Sequence, residues 1–280
     1  MITDALTFDP AALRDASARG DGAATHRLAV LTSMGLWVAQ SWPEALRLLD
    51  LSAAQGHGPA ADDRAALTAL PDLGQWLTPP PPQSLMTGPV ILAVPDFLPP
   101  ALCDWLIDQA REETLPALVY DPDTGQGLRD GIRTNSASQI GLERMTMTLA
   151  LVRERIARVA GLPVPGLEWT QVLHYGIGQT FDWHVDWLNP DEPGHAPDLA
   201  ARGQRIATLL VYLNDDYEGG ETAFEAGGLR HRGKKGDALM WANTLPQGGV
   251  DPRTRHAGLP PTVGEKWVLS QWLRGRAPAG

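Results

Sequence analysis

The chain has 280 residues, 43% of them hydrophobic, with a formal charge of −10 and one cysteine. That length supports a sizeable core, in one large domain or two smaller ones. The charge argues against a nucleic-acid backbone as main partner, the lone Cys103 excludes an internal disulfide, and no apolar run approaches the roughly 18 residues of a membrane span.

Met1-Ile2-Thr3-Asp4 lacks the basic-then-apolar pattern of a secretory signal, so a reducing cytoplasm is the expected compartment. The first seventy residues read as helices. Asp9-Pro10 is a helix start and Gly20 a stop, and Ser41 with Glu44 three residues on fits a capping box closed by Gly56. Ala18, Gly20, Gly22 and Ala24 recur as Ala54, Gly56, Gly58 and Ala60, a shift of 36. Such a period with paired helices marks a helical repeat. Through Ala24, Leu28, Gly35, Glu44, Ala45, Leu48, Ala53, Ala54, Gly56, His57 and Ala60, residues 22–60 resemble a Sel1-like repeat, a relative of the tetratricopeptide repeats. One and a half repeats cannot bury their own faces, so packing on the rest of the chain, or on a second copy in a homo-oligomer, is expected.

Four prolines at 79–82 read as a stiff linker. The expected organisation is a helical segment 1–76, a Pro-rich linker 77–88 and a larger segment 89–280. Residues 90–94 read as a buried strand, and 99–115 and 141–160 as helices. From Glu168 the chain switches to period two, with strands expected over 169–175, 180–187, 205–214, 237–243 and 266–274. Short strands at this density suggest a sandwich or barrel of the jelly-roll kind. The expected class is α+β: a double-stranded β-helix, cupin-like, with flanking helices, behind a small helical repeat segment. The Gly/Pro/Asp-rich loops 121–130, 188–203 and 243–255 flank site strands and are candidate lids.

Within 180–187, His184 and Asp186 stand two residues apart, so on a strand they share a face. His256, arriving from a later strand, would complete a two-His, one-carboxylate triad, the set that holds a non-haem Fe(II) with open positions for oxygen chemistry. Alternation puts Lys266, Val268, Ser270 and Trp272 on one face of the last strand. A lysine inside a barrel is costly unless paired, which makes Lys266 a candidate clamp for a carboxylate cosubstrate. Asp182 shares the expected face of His184 and is a candidate supporting or substrate-side group. Asn243 is a candidate polar residue at the rim. The same alternation sends Trp183 and Trp187 behind the metal strand, and His195 and His231 fall in loops expected to be solvated.

The stretches Tyr175–Asp186, Arg205–Asn214, Gly219–Phe224, Gly236–Trp241 and His256–Trp267, in this order, resemble the prolyl 4-hydroxylase-type Fe(II)/2-oxoglutarate-dependent dioxygenases. The resemblance implies iron held by His184, Asp186 and His256, and Lys266 paired with the distal carboxylate of 2-oxoglutarate. It further implies hydrogen bonds from Tyr175 and Thr208 to that carboxylate and packing by Trp272. Arg133-Thr134-Asn135-Ser136 is similar to the family's arginine–threonine–serine strand near the substrate entrance, but for the inserted Asn135, and makes Arg133 a candidate substrate residue. The implied cofactors are Fe(II), 2-oxoglutarate and O2, with ascorbate as reductant. The implied reaction is hydroxylation of an unactivated C–H, foremost the 4-position of a prolyl residue in a peptide or protein, with release of succinate and CO2. Hydroxylation of a free amino acid or small metabolite is the alternative, and a non-catalytic interaction module the alternative of another class.

Overall fold

Asp9 opens the first helix, its carboxylate accepting from the Ala11 N–H (2.9 Å). The computed structural model describes residues 8–276. Its helices are α1 (Pro10–Ala18), α2 (Gly22–Met34), α3 (Trp42–Ala54), α4 (Gly58–Leu67), α5 (Leu73–Trp76), α6 (Pro100–Arg111), α7 (Met147–Ala160) and α8 (Ala196–Arg202). The repeat of 36 is visible in the backbone. Gly20 and Gly56 follow α1 and α3 at φ +90° and +83°, and α2 and α4 then start at the equivalent Gly22 and Gly58. A left-handed turn of this kind strains any residue with a Cβ. Ser41 Oγ accepts from the Glu44 N–H (3.3 Å), but the Glu44 carboxylate pairs with Arg47 (2.7 Å) instead of reaching back, so the capping box is half closed.

These helices form one compact unit that runs to Leu77 and includes Leu142–Arg155. The expected continuous segment 89–280 is therefore interrupted. The helix expected from Gly141 is also shorter: a 3-10 turn occupies Leu142–Arg144 and α7 begins at Met147. The cause is Asp63 on α4, whose buried carboxylate accepts from the N–H groups of Met147 (2.8 Å) and Thr148 (2.9 Å), a helix cap supplied from a distant part of the chain. His26 Nε2 lies 3.1 Å from the same carboxylate. The Trp76 indole donates to the Leu151 carbonyl (3.0 Å), and Arg155 stacks on its ring at 4.5 Å. An isolated helical repeat lacks a neighbour for its inner face, and the start of α7 supplies one.

The second unit comprises Thr78–Gly141 and the chain from Ile156 onward. Its strands are β1 (Gln83–Thr87), β2 (Val90–Val94), β3 (Leu115–Pro116), β4 (Val119–Tyr120), β5 (Gly127–Leu128), β6 (Ser136–Ile140), β7 (Thr170–Tyr175) and β8 (Phe181–His184). They continue with β9 (Arg205–Tyr212), β10 (Glu218–Gly219), β11 (Thr222–Phe224), β12 (Arg230–His231), β13 (Ala238–Ala242), β14 (His256–Gly258), β15 (Pro261–Val263) and β16 (Lys266–Arg274). β1 lies inside the expected linker 77–88: it pairs antiparallel with β2, so only the prolines ahead of it are free of the sheet.

An eight-stranded sheet has the order β1-β2-β13-β9-β16-β7-β6-β3, and a four-stranded sheet the order β12-β11-β14-β8. Ile91, Tyr212, Leu239, Trp241 and Val268 from the large sheet meet Phe224 from the small one in a buried cluster. Full burial of each such side chain contributes about 1.5–3 kcal/mol. Two antiparallel sheets closed over this core make a jelly-roll domain, joined to flanking helices. The ten tryptophans divide: Trp76, Trp241 and Trp267 are buried, whereas Trp37, Trp169 and Trp183 are at least a third exposed. His195 is buried, with Nδ1 3.0 Å from the Asn189 carbonyl, and His231 is half-buried against Tyr212, so neither is a solvated loop residue.

Candidate active site

The strand that carries His184 is irregular, and the irregularity builds the site. β8 pairs with β14 through His256↔His184 and Gly258↔Phe181. Two steps along β14 are thus matched by three along β8, a β-bulge. The extra residue breaks the alternation, and Phe181 and His184 come to the same face, their rings stacked at 3.5 Å and 14°. The same bulge overturns two expectations. Asp182 leaves the face of His184: its side chain is exposed and accepts from the Trp183 N–H (2.7 Å). Trp183 is 36% exposed, with Arg255 5.8 Å from its ring, and does not pack behind the strand. Asp182 still serves His184, but through its carbonyl, which accepts from Nδ1 (2.6 Å).

β8 ends at His184, two residues earlier than a shared strand with Asp186 requires, yet the turn that follows brings Asp186 back to the pocket. His184 Nε2 lies 3.6 Å from Asp186 Oδ1, and His256 Nε2 3.7 Å from Asp186 Oδ2. His256 Nδ1 donates to the Thr254 carbonyl (2.9 Å). Carbonyls only accept, so both imidazoles carry a proton on Nδ1 and turn Nε2 inward. Burial pushes His256 down to about 4, which keeps it neutral near pH 7. Burial alone would raise the Asp186 carboxyl, but His256, His184 and the Thr208 hydroxyl outweigh it and hold the group below the usual carboxylate range. The donor atoms of His184, Asp186 and His256 all lie within 4.8 Å of one another. Two imidazoles turned inward through Nε2 and one carboxylate, spaced to converge on a single point, fit a divalent metal with open positions.

The pocket runs between the two sheets. Tyr175, Thr208, Trp241, Lys266, Ser270 and Trp272 line it from the large sheet, and Phe181, His184, Thr222, His256 and Gly258 from the small one. Lys266 is 1% exposed; its Nζ donates to the Gly220 carbonyl (2.7 Å) and lies 5.2 Å and 5.6 Å from the rings of Tyr175 and Tyr212. Burial lowers the ammonium to about 7, outweighing the opposing pull of the Glu221 carboxylate. Tyr175 is its ladder partner across β16 and β7. Burial raises the phenol to about 12, so it stays a neutral donor. Gly258 packs under that ring, where a Cβ would come within 3.1 Å of the Tyr175 hydroxyl. A buried ammonium beside a neutral phenol is the pair of donors a carboxylate needs, and 2-oxoglutarate fits it.

Thr208 departs from its expected role. Its hydroxyl has one proton and donates it to Asp186 Oδ2 (2.7 Å), so it cannot also donate to a cosubstrate carboxylate. Asn243 is not at the rim: it is fully buried behind Thr208 and donates to Thr208 Oγ1 (2.9 Å). Arg133 does reach the pocket wall. It lies 4.5 Å over the Phe181 ring and donates to the Leu118 carbonyl (2.9 Å), extending the stack Arg133–Phe181–His184. Trp272 lines the pocket opposite Thr208 on the ladder, with Arg205 3.5 Å over its ring. Phe181 and Trp241, the latter 4.6 Å from the His256 ring in an edge-on contact, pack against the metal histidines; both fall inside stretches that carry the family resemblance, but their own part was not read there.

The fold and the site together define a mononuclear metal enzyme on a jelly-roll scaffold, with a cationic floor for an acidic cosubstrate. Residues 170–274 match the family described as the 2OG-Fe(II) oxygenase superfamily. The chain is 32% identical over 210 residues to prolyl 4-hydroxylase 1 of Arabidopsis thaliana, covering 70% of this chain and 72% of that one. It is 35% identical over 189 residues to the prolyl 4-hydroxylase subunit alpha-1 of Rattus norvegicus, covering 67% of this chain but 35% of that longer one. Among solved structures it is similar to the viral collagen prolyl hydroxylase vCPH of Paramecium Bursaria Chlorella virus-1 in its 2OG complex, with TM-score 0.51 and 25% identity over 68% of this chain and 99% of that one. The chain belongs to the 2OG-Fe(II) oxygenase superfamily, among the dioxygenases of the prolyl 4-hydroxylase type. Its cofactors are accordingly Fe(II), 2-oxoglutarate and O2.

Proposed function

We propose that this enzyme hydroxylates prolyl residues of a peptide or protein. The observation that carries the reading is the convergence of the His184–Asp186–His256 triad with Lys266 in one pocket, in a chain similar to prolyl 4-hydroxylases over most of its catalytic length. When bound, iron and 2-oxoglutarate supply the oxidation: cosubstrate decarboxylation to succinate and CO2 accompanies insertion of one oxygen atom into a C–H bond. The chain's own part is placement. His184, Asp186 and His256 hold the metal, and Lys266 and Tyr175 fix the far end of the cosubstrate. Leu173, Leu210, Val268 and Trp241 make the surrounding wall apolar, which excludes water from the reacting atoms. Arg133, at the wall beside Phe181, is the candidate substrate-side residue. Ascorbate as reductant, a Sel1-like helical segment that contacts substrate or a second copy, and a cytoplasmic setting belong to the same reading.

The test is incubation with proline-rich peptides, Fe(II), 2-oxoglutarate and ascorbate, scored by mass spectrometry. The expected product is peptide heavier by one oxygen at proline, with succinate formed in equal amount. Oxidation of free proline with peptides untouched would move the substrate to the small-metabolite class.

A further inference from the structure

Asn243 follows the end of β13, is 0% exposed, and is held by its backbone at both ends: its N–H donates to the Ile206 carbonyl (2.8 Å), and its carbonyl accepts from the Asp251 N–H (3.0 Å). Its side chain touches no open part of the pocket. A metal-ligating carboxylate is deprotonated and can only accept, so the hydrogen bond between Thr208 and Asp186 has one possible direction: Thr208 donates. Having spent its proton, Thr208 Oγ1 must accept from Asn243, which fixes the amide with its NH2 toward Thr208. The far side of the amide gains nothing from this. Asn243 Oδ1 is buried without a hydrogen-bond partner among the described residues. A buried acceptor left unpaired is a cost in stability, and an apolar side chain of the same size would avoid it. A polar group kept at a stability cost and aimed through one hydroxyl at a metal ligand has the signature of a functional requirement.

We infer that Asn243 is a positioning residue for the iron centre: it locks the Thr208 hydroxyl as a donor to Asp186 Oδ2 and so holds the carboxylate in place. This rests on the reading of His184, Asp186 and His256 as the metal site. The same residue also reaches the other ligand through its backbone. Its carbonyl anchors Asp251, the Asp251 carbonyl accepts from the Thr254 N–H (3.0 Å), and the Thr254 carbonyl orients His256 Nδ1 (2.9 Å). A side-chain substitution leaves that backbone route in place and isolates the amide.

The experiment measures Mn(II) binding to the full chain from the electron paramagnetic resonance signal of free ion, beside thermal unfolding without metal, for wild type, Asn243→Leu, Thr208→Val and the double variant. The expected result is a loss of Mn(II) affinity of about tenfold in each single variant, in line with outer-shell substitutions at metal sites. The Tm of Asn243→Leu stays equal or rises. The double variant binds no more weakly than Thr208→Val, because Asn243 acts only through Thr208. Unchanged Mn(II) affinity in Asn243→Leu, or losses that multiply in the double variant, would overturn the inference. A lowered Tm with wild-type Mn(II) affinity would mark Asn243 as structural and overturn it equally. If Asn243→Leu does not fold, Asn243→Ala enters the same cycle. Wild type that fails to bind Mn(II) removes the metal-site reading itself, and the inference with it.

Discussion

Replacing Lys266 with methionine should make the protein more stable and its cosubstrate binding weaker. Burial moves the ammonium from 10.5 to about 7. At about 1.4 kcal/mol per pH unit, keeping it charged costs on the order of 5 kcal/mol when the cosubstrate is absent. Methionine removes that cost but leaves the Gly220 carbonyl without its donor, a loss of about 1–3 kcal/mol. The net gain is about 2–4 kcal/mol, or some 2–4 °C of Tm per kcal/mol in a chain of this size. The sign with pH follows from a folded pKa below the unfolded one. Below about pH 7 lysine is charged in both states and the destabilisation is fully present; it shrinks as pH rises towards 10.5, where neither state is held charged. Thermal unfolding of wild type and Lys266→Met at pH 6 and pH 9.5 should therefore show a large gap at the lower pH and a small one at the higher. Calorimetric titration with 2-oxoglutarate should show the opposite effect on binding. Removing one partner of a buried charge pair costs about 2–5 kcal/mol, a rise in Kd of at least roughly thirtyfold. In wild type, binding above pH 7 takes up a proton, so affinity falls with rising pH. A variant that is less stable at pH 6 and binds 2-oxoglutarate normally would refute the reasoning.

Asp186→Ala removes the anionic ligand and should abolish succinate formation while circular dichroism stays that of wild type; turnover at the normal rate would rule out the triad. Phe181→Ala removes the ring stacked on His184 and should weaken Fe(II) binding about tenfold, read by anaerobic titration, with a small change in Tm because the ring is only half-buried. Asp63→Ala uncaps α7 and strands two N–H groups, so it should lower stability by about 2–3 kcal/mol in denaturant titration without altering metal affinity. A metal-binding defect in that variant would mean that the cap shapes the site.

The triad and the lysine were legible in the sequence because their spacing is chemical: two imidazoles, a carboxylate and a lone core lysine have few other reasons to lie in this order. The period-two pattern also placed Lys266, Val268, Ser270 and Trp272 on one face, and all four line the pocket. What failed was alternation across a bulge. One extra residue in β8 reassigned Phe181, Asp182 and Trp183 together, and no composition signal marks a bulge that contains no glycine. Thr208 and Asn243 failed for another reason. Their roles depend on which of two neighbours takes a single hydroxyl proton, a three-dimensional question. The capture of 142–155 by the N-terminal helices was likewise hidden, since Asp63 and Met147 lie far apart in the chain and neither motif names the other. The loops 121–130 and 188–203 show the same limit. Gly194 N–H donates to the Pro122 carbonyl (2.9 Å), and a Cβ on Gly125 would meet the Gly194 carbonyl oxygen at 2.3 Å, so these two candidate lids are packed on each other through paired glycines.

The most direct test of the central claim is an anaerobic titration of the purified chain with Fe(II) and 2-oxoglutarate, followed by visible absorption. A charge-transfer band should grow to one iron per chain, be absent in His256→Ala, and in Lys266→Met need a far higher concentration of 2-oxoglutarate. A folded wild-type chain that gives no band, or a His256→Ala variant that gives the same band, would contradict the claim.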